Sequence, residues 1–314
     1  MDFILIIVGF VILILGAHFL VDGASGLAKR LHVPDLIIGL TIVAFGTSAP
    51  ELVVNIFAAS KPDTTDLALT NILGSNLINT FVILGLAAVI YPISSQKSSR
   101  LFDIPLSLFA AVLIFILAQL TDSSISRMDG IILLLFFGLF MLMMIRQTLK
   151  HPEENQSENI KPVRIWLAII MIIGGLGLLI GGADLIVPSA VRIANNMGIS
   201  QSVIGLTIVA LGTSLPELAT SAMAAFKKNS DIALGNIVGS NIFNIFLVLG
   251  VSGIIRPLQS YPNMIFDLMM VILGSLLILL FVSLTAKKQI KRWHGGLLLF
   301  LYLIYITYTI VTQA

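Results

Sequence analysis

GLTIVAFGTSAPEL, Gly39–Leu52, is an apolar run that closes on Pro50 and Glu51. The chain carries it again 166 residues later as GLTIVALGTSLPEL, Gly205–Leu218, with twelve of fourteen positions identical and the acid recurring as Glu217. Proline breaks regular backbone and a carboxylate is costly in hydrocarbon. Their double appearance needs a physical reason.

The hydrocarbon is read from composition. Of 314 residues, 57% are hydrophobic and 11% charged, and the mean hydropathy is +1.04. Water-soluble domains carry roughly 25% charged residues, so this chain lacks the polar surface that water demands. Apolar runs near 20 residues recur throughout, each long enough to cross ~30 Å at ~1.5 Å per residue. The reading is an all-α polytopic protein of the plasma (inner) membrane, with the lipid bilayer as its solvent. Ten spans are expected, at about 3–21, 34–59, 66–91, 101–120, 128–148, 163–187, 199–226, 232–255, 264–285 and 293–312. The first run lacks the basic start of a cleaved signal peptide and has a later counterpart, so it is expected to be retained. Lys and Arg are scattered between apolar runs rather than patched, which excludes nucleic acid as a partner. Cysteine is absent, which removes thiolate chemistry.

A second repeat follows the first. NILGSNLIN, Asn71–Asn79, returns as NIVGSNIFN, Asn236–Asn244, offset by 165 and identical at six of nine positions. The motif pairs thus occupy residues 39–79 and 205–244. The polar stretch KHPEENQSENIKP reads as a linker over residues 150–162, separating five-helix units at 1–149 and 163–314. Fourteen of the eighteen Lys and Arg residues fall in or beside the odd-numbered connections; only Lys61, Arg127, Arg192 and Arg256 fall in the even-numbered ones. The positive-inside bias puts the odd connections in the cytoplasm and both termini outside. With five spans per unit, the second copy enters the membrane inverted, a plan shared by many secondary transporters with a site near the midplane.

An ionisable residue at membrane depth costs on the order of 3 kcal/mol or more and is presumed functional. Thr47 and Glu51 stand four apart and share a helix face, as do Thr213 and Glu217. Asn71, Ser75 and Asn79 form a polar stripe at the same interval, repeated by Asn236, Ser240 and Asn244. Pro50 and Pro216 are expected to free backbone carbonyls around Ala44 to Gly46 and Ala210 to Gly212. Carboxylate, hydroxyl, amide and carbonyl oxygens suit hard cations such as Na⁺, Ca²⁺, Mg²⁺ or Mn²⁺. Two carboxylates balance one divalent ion or attract two or three Na⁺, and a pocket that balances either load but not both is the basis of an exchanger. Plain structural readings stand beside these. The asparagines and serines of the stripes also suit interhelical hydrogen bonding, Asn76 and Asn241 point away from them, and His18, Asp22, Asp184 and Asp267 read as interfacial.

The paired GTSAPE and GTSLPE, followed by GSNLIN and GSNIFN, resemble the two repeats of the cation/calcium exchanger superfamily, in its prokaryotic Na⁺/Ca²⁺ exchanger branch. The likeness covers essentially the whole chain. It implies that Glu51 and Glu217 bind both Ca²⁺ and Na⁺, and that Thr47, Ser48, Thr213 and Ser214 line the sites. It further implies carbonyl donation from Ala44 and Ala210, hydroxyl ligation by Ser75 and Ser240, and a mid-pocket position for Asn79 and Asn244. Some relatives carry aspartate at the position of Asn244. Asparagine in both copies leaves two acidic ligands and argues against K⁺ dependence.

The expectation is therefore a Na⁺/Ca²⁺ antiporter and not an enzyme, with Na⁺ and Ca²⁺ as transported ions, no cofactor and a monomer as the unit. Spans one and six, the latter bearing IIGGLGLLIGGA, are expected to slide past the core between outward and inward states. The rivals are a Ca²⁺/H⁺ exchanger, a cation channel built from the same oxygens, and an intramembrane enzyme, for which the motifs offer no nucleophile–base pair.

Overall fold

The computed structural model describes residues 2–62, 65–120, 124–150, 163–197 and 210–313. Its helices are α1 Asp2–Leu31, α2 Asp35–Thr47, α3 Ala49–Ser60, α4 Thr65–Ile90, α5 Ser99–Leu120, α6 Arg127–Lys150, α7 Ile165–Asn196, α8 Ala210–Thr213, α9 Leu215–Phe226, α10 Ser230–Ile255, α11 Met264–Leu284 and α12 Arg292–Gln313. Among the described residues, eight of these are long and apolar enough to cross a membrane, and the α2–α3 pair, bent by 45°, makes a ninth. The span expected at 199–226 begins outside the described residues, and α8 and α9 are its described part. The linker expected at 150–162 also lies outside them, apart from Lys150.

Helices α1 and α7 outrun the spans expected at 3–21 and 163–187. Both are held by a close seam. A Cβ at Gly16 would lie 2.8 Å from the Gly175 carbonyl, and one at Gly182 would lie 2.9 Å from that of Gly9. Glycine is required here because only a missing side chain lets two backbones approach so closely. The seam continues past residue 21, where Gly23 packs on Met171 and Ala168 and where Ala24, Ser25 and Ala28 are buried. Packing thus carries α1 on to Leu31. The opposite face of α1 exposes Phe3, Ile7, Val11 and Ile14, and α7 exposes Ile169, Ile170 and Ile173, as a lipid-facing surface must.

The centre is made by α4 and α10, which are buried along most of their length. Around them the same contacts recur under a shift of 165 residues. Gly85 of α4 meets Gly295 of α12, and Gly250 of α10 meets Gly130 of α6. A two-residue antiparallel ladder joins β1, Ile93–Ser94, to β2, Gln289–Ile290, with Ile93 opposite Ile290. Its counterpart is the bridge between Ile125 and Leu258. These ladders are an addition to the expected all-helical plan, and they satisfy backbone groups where helices end.

Candidate ion-binding site

The breaks come first, because they aim the acids. Ser48 ends α2 with φ −85° and ψ 4°, and Ser214 ends α8 with φ −89° and ψ 6°. Pro50 and Pro216 fall in the first turn of the helices that follow, where a missing N–H costs nothing. The chain therefore breaks two residues before each proline, and Glu51 and Glu217 sit in the first turn of α3 and α9. That is the end where a helix dipole favours negative charge.

Both glutamates are fully buried, and their carboxylates lie close enough to interact electrostatically. Like charges buried near one another repel, more strongly the lower the effective dielectric around them. Ser48 Oγ donates to Glu217 Oε1 at 2.9 Å, crossing from one repeat to the other. Thr47 and Ser240 also neighbour Glu217, and Ser75 neighbours Glu51. The Ser75 and Ser214 hydroxyls lie 3.2 Å apart, and Asn244 Nδ2 donates to Ser75 Oγ at 3.1 Å and to Asn76 Oδ1 at 3.0 Å. Thr47 Oγ1 lies 3.1 Å from Asn236 Oδ1 and 3.1 Å from Val43 O, two acceptors for its single hydrogen.

A set of buried polar atoms meets no hydrogen-bond partner among the described residues. It comprises both oxygens of Glu51, Oε2 of Glu217, Ser240 Oγ, Asn244 Oδ1 and both polar atoms of Asn79. Orphaned groups of this kind cost roughly 1–3 kcal/mol each, more when charged, and proteins keep them where something else completes the bonding. Among the described residues no cluster of three or more His, Asp or Glu forms. Two acids and a shell of neutral oxygens are what this centre offers. Asn79 and Asn244 both fall on π-helical turns, Ile78–Ile83 and Asn244–Leu249, a local widening frequent at functional sites.

Of the expected residues, Thr47, Ser48, Glu51, Ser75, Asn79, Ser214, Glu217, Ser240 and Asn244 are all buried on the segments that meet here. Thr213 ends α8 half-buried and Ala210 begins it. Ala44 departs from expectation: its carbonyl accepts the Ser48 N–H at 3.0 Å and faces the Thr47 hydroxyl at 3.4 Å. The last turn of α2 closes on itself before the proline intervenes, so this carbonyl is not freed. Asn76 and Asn241 link helices as expected, through Asn241 O at 3.3 Å and Thr80 Oγ1 at 2.9 Å. Asp267, in the first turn of α11, is buried in the protein and accepts hydroxyls from Tyr261 and Tyr305. Asp22 pairs with Lys227 at 2.6 Å, with His18 3.3 Å away.

Two functional neighbours escaped the sequence reading. Asn55 accepts from Asn71 at 2.7 Å while donating to Ala68 O at 2.9 Å, and Ser221 accepts from Asn236 at 2.9 Å. Each stands four residues beyond its glutamate. The helical interval that paired Thr47 with Glu51 would have found both had it been extended one turn.

The comparisons with known proteins come to the same place. The family model described as sodium/calcium exchanger protein matches residues 1–146 and 167–311. The inner membrane protein YrbG of Escherichia coli is 39% identical over 272 residues, covering 82% of this chain and 81% of YrbG. The sodium/calcium exchanger MaX1 of Methanosarcina acetivorans is 32% identical over 343 residues and 97% of each chain. A solved structure of the sodium-calcium exchanger NCX_Mj superimposes with a TM-score of 0.84 at 31% identity, covering 98% of both chains. The chain is an integral multi-pass membrane transporter, not an enzyme, and it belongs to the sodium/calcium exchanger protein family, in the prokaryotic branch of the cation/calcium exchangers.

Proposed function

We propose that the protein exchanges Na⁺ for Ca²⁺ by alternating access around Glu51 and Glu217. The observation that carries this reading is the fully buried pair of acids with three carboxylate oxygens unpartnered. With Ser240 Oγ, Asn79 Oδ1 and Asn244 Oδ1 they make six unpartnered oxygens from the expected ligand residues. Ca²⁺ takes six to eight oxygens at roughly 2.3–2.6 Å in flexible geometry. Two negative charges balance one Ca²⁺, or they hold Na⁺ ions individually, and either load displaces the other. Ser48, Ser75, Thr47, Thr213 and Ser214 supply hydroxyls around the acids. Ala44 and Ala210 contribute backbone carbonyls, Ala44 only after releasing Ser48.

Access alternates because the two halves are equivalent and inverted. Ten spans in two five-helix units, residues 1–149 and 163–314 joined by 150–162, are supported by the contacts that recur under the 165-residue shift. The Lys and Arg bias orients the odd connections and the linker to the cytoplasm and the termini outward. Helices α1 and α7 slide as one body, since their glycine seam ties them to each other. MaX1 and NCX_Mj are named as sodium/calcium exchangers, which favours Na⁺ as the coupling ion.

A Ca²⁺/H⁺ exchanger is the second reading, favoured by the same unpartnered Glu51 oxygens, which also suit protons. Proteoliposomes separate the two. Vesicles loaded with Na⁺ are expected to accumulate Ca²⁺ on dilution into Na⁺-free buffer at equal pH. Uptake driven only by a pH gradient, with Na⁺ without effect, assigns the proton instead. Conductance without any counter-ion makes the protein a channel.

A further inference from the structure

A third carboxylate lies outside the central pocket. Asp103 is fully buried in the first turn of α5, within the π-helical turn Ser99–Asp103. Among the described residues neither of its oxygens meets a hydrogen-bond partner, and the buried hydroxyl of Ser99, four residues earlier, has none either. Its counterpart under the inverted repeat is Asp267, at a shift of 164 residues. That shift also maps buried Ile104, Ser107, Ala110, Ala111 and Ile114 onto buried Leu268, Val271, Gly274, Ser275 and Ile278.

The counterpart shows how the fold satisfies an acid at this place. Tyr261 donates to Asp267 Oδ2 at 2.7 Å and Tyr305 to Oδ1 at 2.9 Å. Burial and the neighbouring Asp267 push the Tyr261 phenol well above its ordinary value, which keeps its proton available for donation. In the first repeat the same 164-residue shift puts Lys97, which is exposed, opposite Tyr261, and the 165-residue shift that relates α6 to α12 puts Phe140, which is buried and has no donor to give, opposite Tyr305. The phenols are gone and the acid remains.

No protein charge replaces them. Arg100, on the same turn, reaches the Ser95 carbonyl at 2.6 Å. Asp231, on the packed α10, is engaged by Gln96 at 2.7 Å, and Lys288, beside β2, by Ser283 O at 2.7 Å. Helix α11, packed along α5, carries Asp267 as its one titratable residue. Among the described residues no ion pair includes Asp103. An isolated buried carboxylate costs several kcal/mol even after relaxation, so its charge has to be met by something mobile.

We propose that Asp103 and Ser99 form a separate site for one exchangeable monovalent cation, H⁺ or Na⁺, at the end of α5 nearest Lys97 and Arg100. One carboxylate balances one positive charge, whereas a divalent ion would leave an uncompensated charge in the protein interior. Helix α5 packs on α10, which carries Ser240 and Asn244, so occupancy there bears on the central pocket through one shared helix.

Infrared difference spectra of the full chain in liposomes, wild type against Asp103→Asn, isolate this carboxyl group without any transport measurement. The result therefore stands whether Na⁺ or H⁺ drives exchange at the glutamates. The Asp103 signal is expected to respond to the monovalent cation. A change with pH between about 5 and 9 that Na⁺ does not influence identifies the proton, and a change on adding Na⁺ at fixed pH identifies Na⁺. A signal that neither moves overturns the proposal. Phe140→Tyr places a phenol at the position that corresponds to Tyr305 and leaves Asp103 in place. It is expected to shift the midpoint by about tenfold in cation concentration, the effect of one hydrogen bond to a charged group; an unshifted midpoint in a folded variant overturns it equally.

Discussion

The two halves of the central pocket are built from nearly the same letters yet are bonded differently. Glu217 accepts a hydroxyl from Ser48 of the opposite repeat, while both oxygens of Glu51 are unpartnered. Asn244 spends its amide hydrogens on Ser75 and Asn76, while neither polar atom of Asn79 has a partner. Asn236 is held by Ser221 at one end and faces Thr47 at the other. Under exact two-fold symmetry every bond would have a twin. Under the proposed alternation between two mirror-related states, each state breaks the symmetry of the pair, and the unequal bonding of Glu51 and Glu217 is what that reading expects of one state.

The largest test of this comparison is to neutralise each acid in turn. Glu51→Gln and Glu217→Gln each leave a single charge where Ca²⁺ needs two, at a cost of roughly 3 kcal/mol or more. Initial Ca²⁺ uptake is expected to fall at least about 100-fold in both. Near-normal uptake in either breaks the equivalence of the halves.

The seam between α1 and α7 comes next. Gly16→Val is expected to cost 1–3 kcal/mol or more through clash with the Gly175 backbone, read as a lower melting temperature and lost flux. Gly177→Ala, where an added Cβ meets open space, is expected to change neither.

A smaller effect separates the halves most cleanly. Ser48→Ala removes a charge-assisted hydrogen bond of roughly 1.5–3 kcal/mol from Glu217 and is expected to shift apparent Ca²⁺ affinity about tenfold. Its twin Ser214 meets the Ser75 hydroxyl rather than an acid among the described residues, and Ser214→Ala is expected to stay within about threefold. Equal effects would mean that the asymmetry averages out during turnover. The smallest effect is expected from Asn55→Ala and Ser221→Ala, which orient Asn71 and Asn236 rather than carry charge. Each loses a neutral hydrogen bond of roughly 1 kcal/mol, measurable as a severalfold change in Na⁺ dependence.

Much of this architecture was legible in the residues. Hydropathy located the helices because the bilayer imposes one length on every span, and the repeated GTS-x-PE marked the breaks because proline acts through local covalent geometry. The expected freeing of the Ala44 carbonyl did not follow. Ser48 closes α2 with its own N–H, a choice between competing hydrogen bonds that no letter announces. The lengths of α1 and α7 were missed for a related reason: their ends are held by a partner helix 140 or more positions away, and only the seven-residue spacing of Gly9, Gly16 and Gly23 hinted at it. The bonding of Asp267 was not legible because Tyr305, which donates to it, lies on another helix. The inequality of Glu51 and Glu217 had no sequence signal, since the motifs around the two acids are nearly identical.

The claim on which the rest depends is that two facing acids hold competing cations. It is tested most directly by equilibrium binding of radiolabelled Ca²⁺ to the purified protein, titrated with Na⁺ at constant pH and ionic strength. Displacement is expected to be complete and steeper than one Na⁺ per Ca²⁺, with no Ca²⁺ retained by the double variant Glu51→Gln, Glu217→Gln. Ca²⁺ that stays bound at every Na⁺ concentration, or that binds the double variant as tightly as the wild type, contradicts the account.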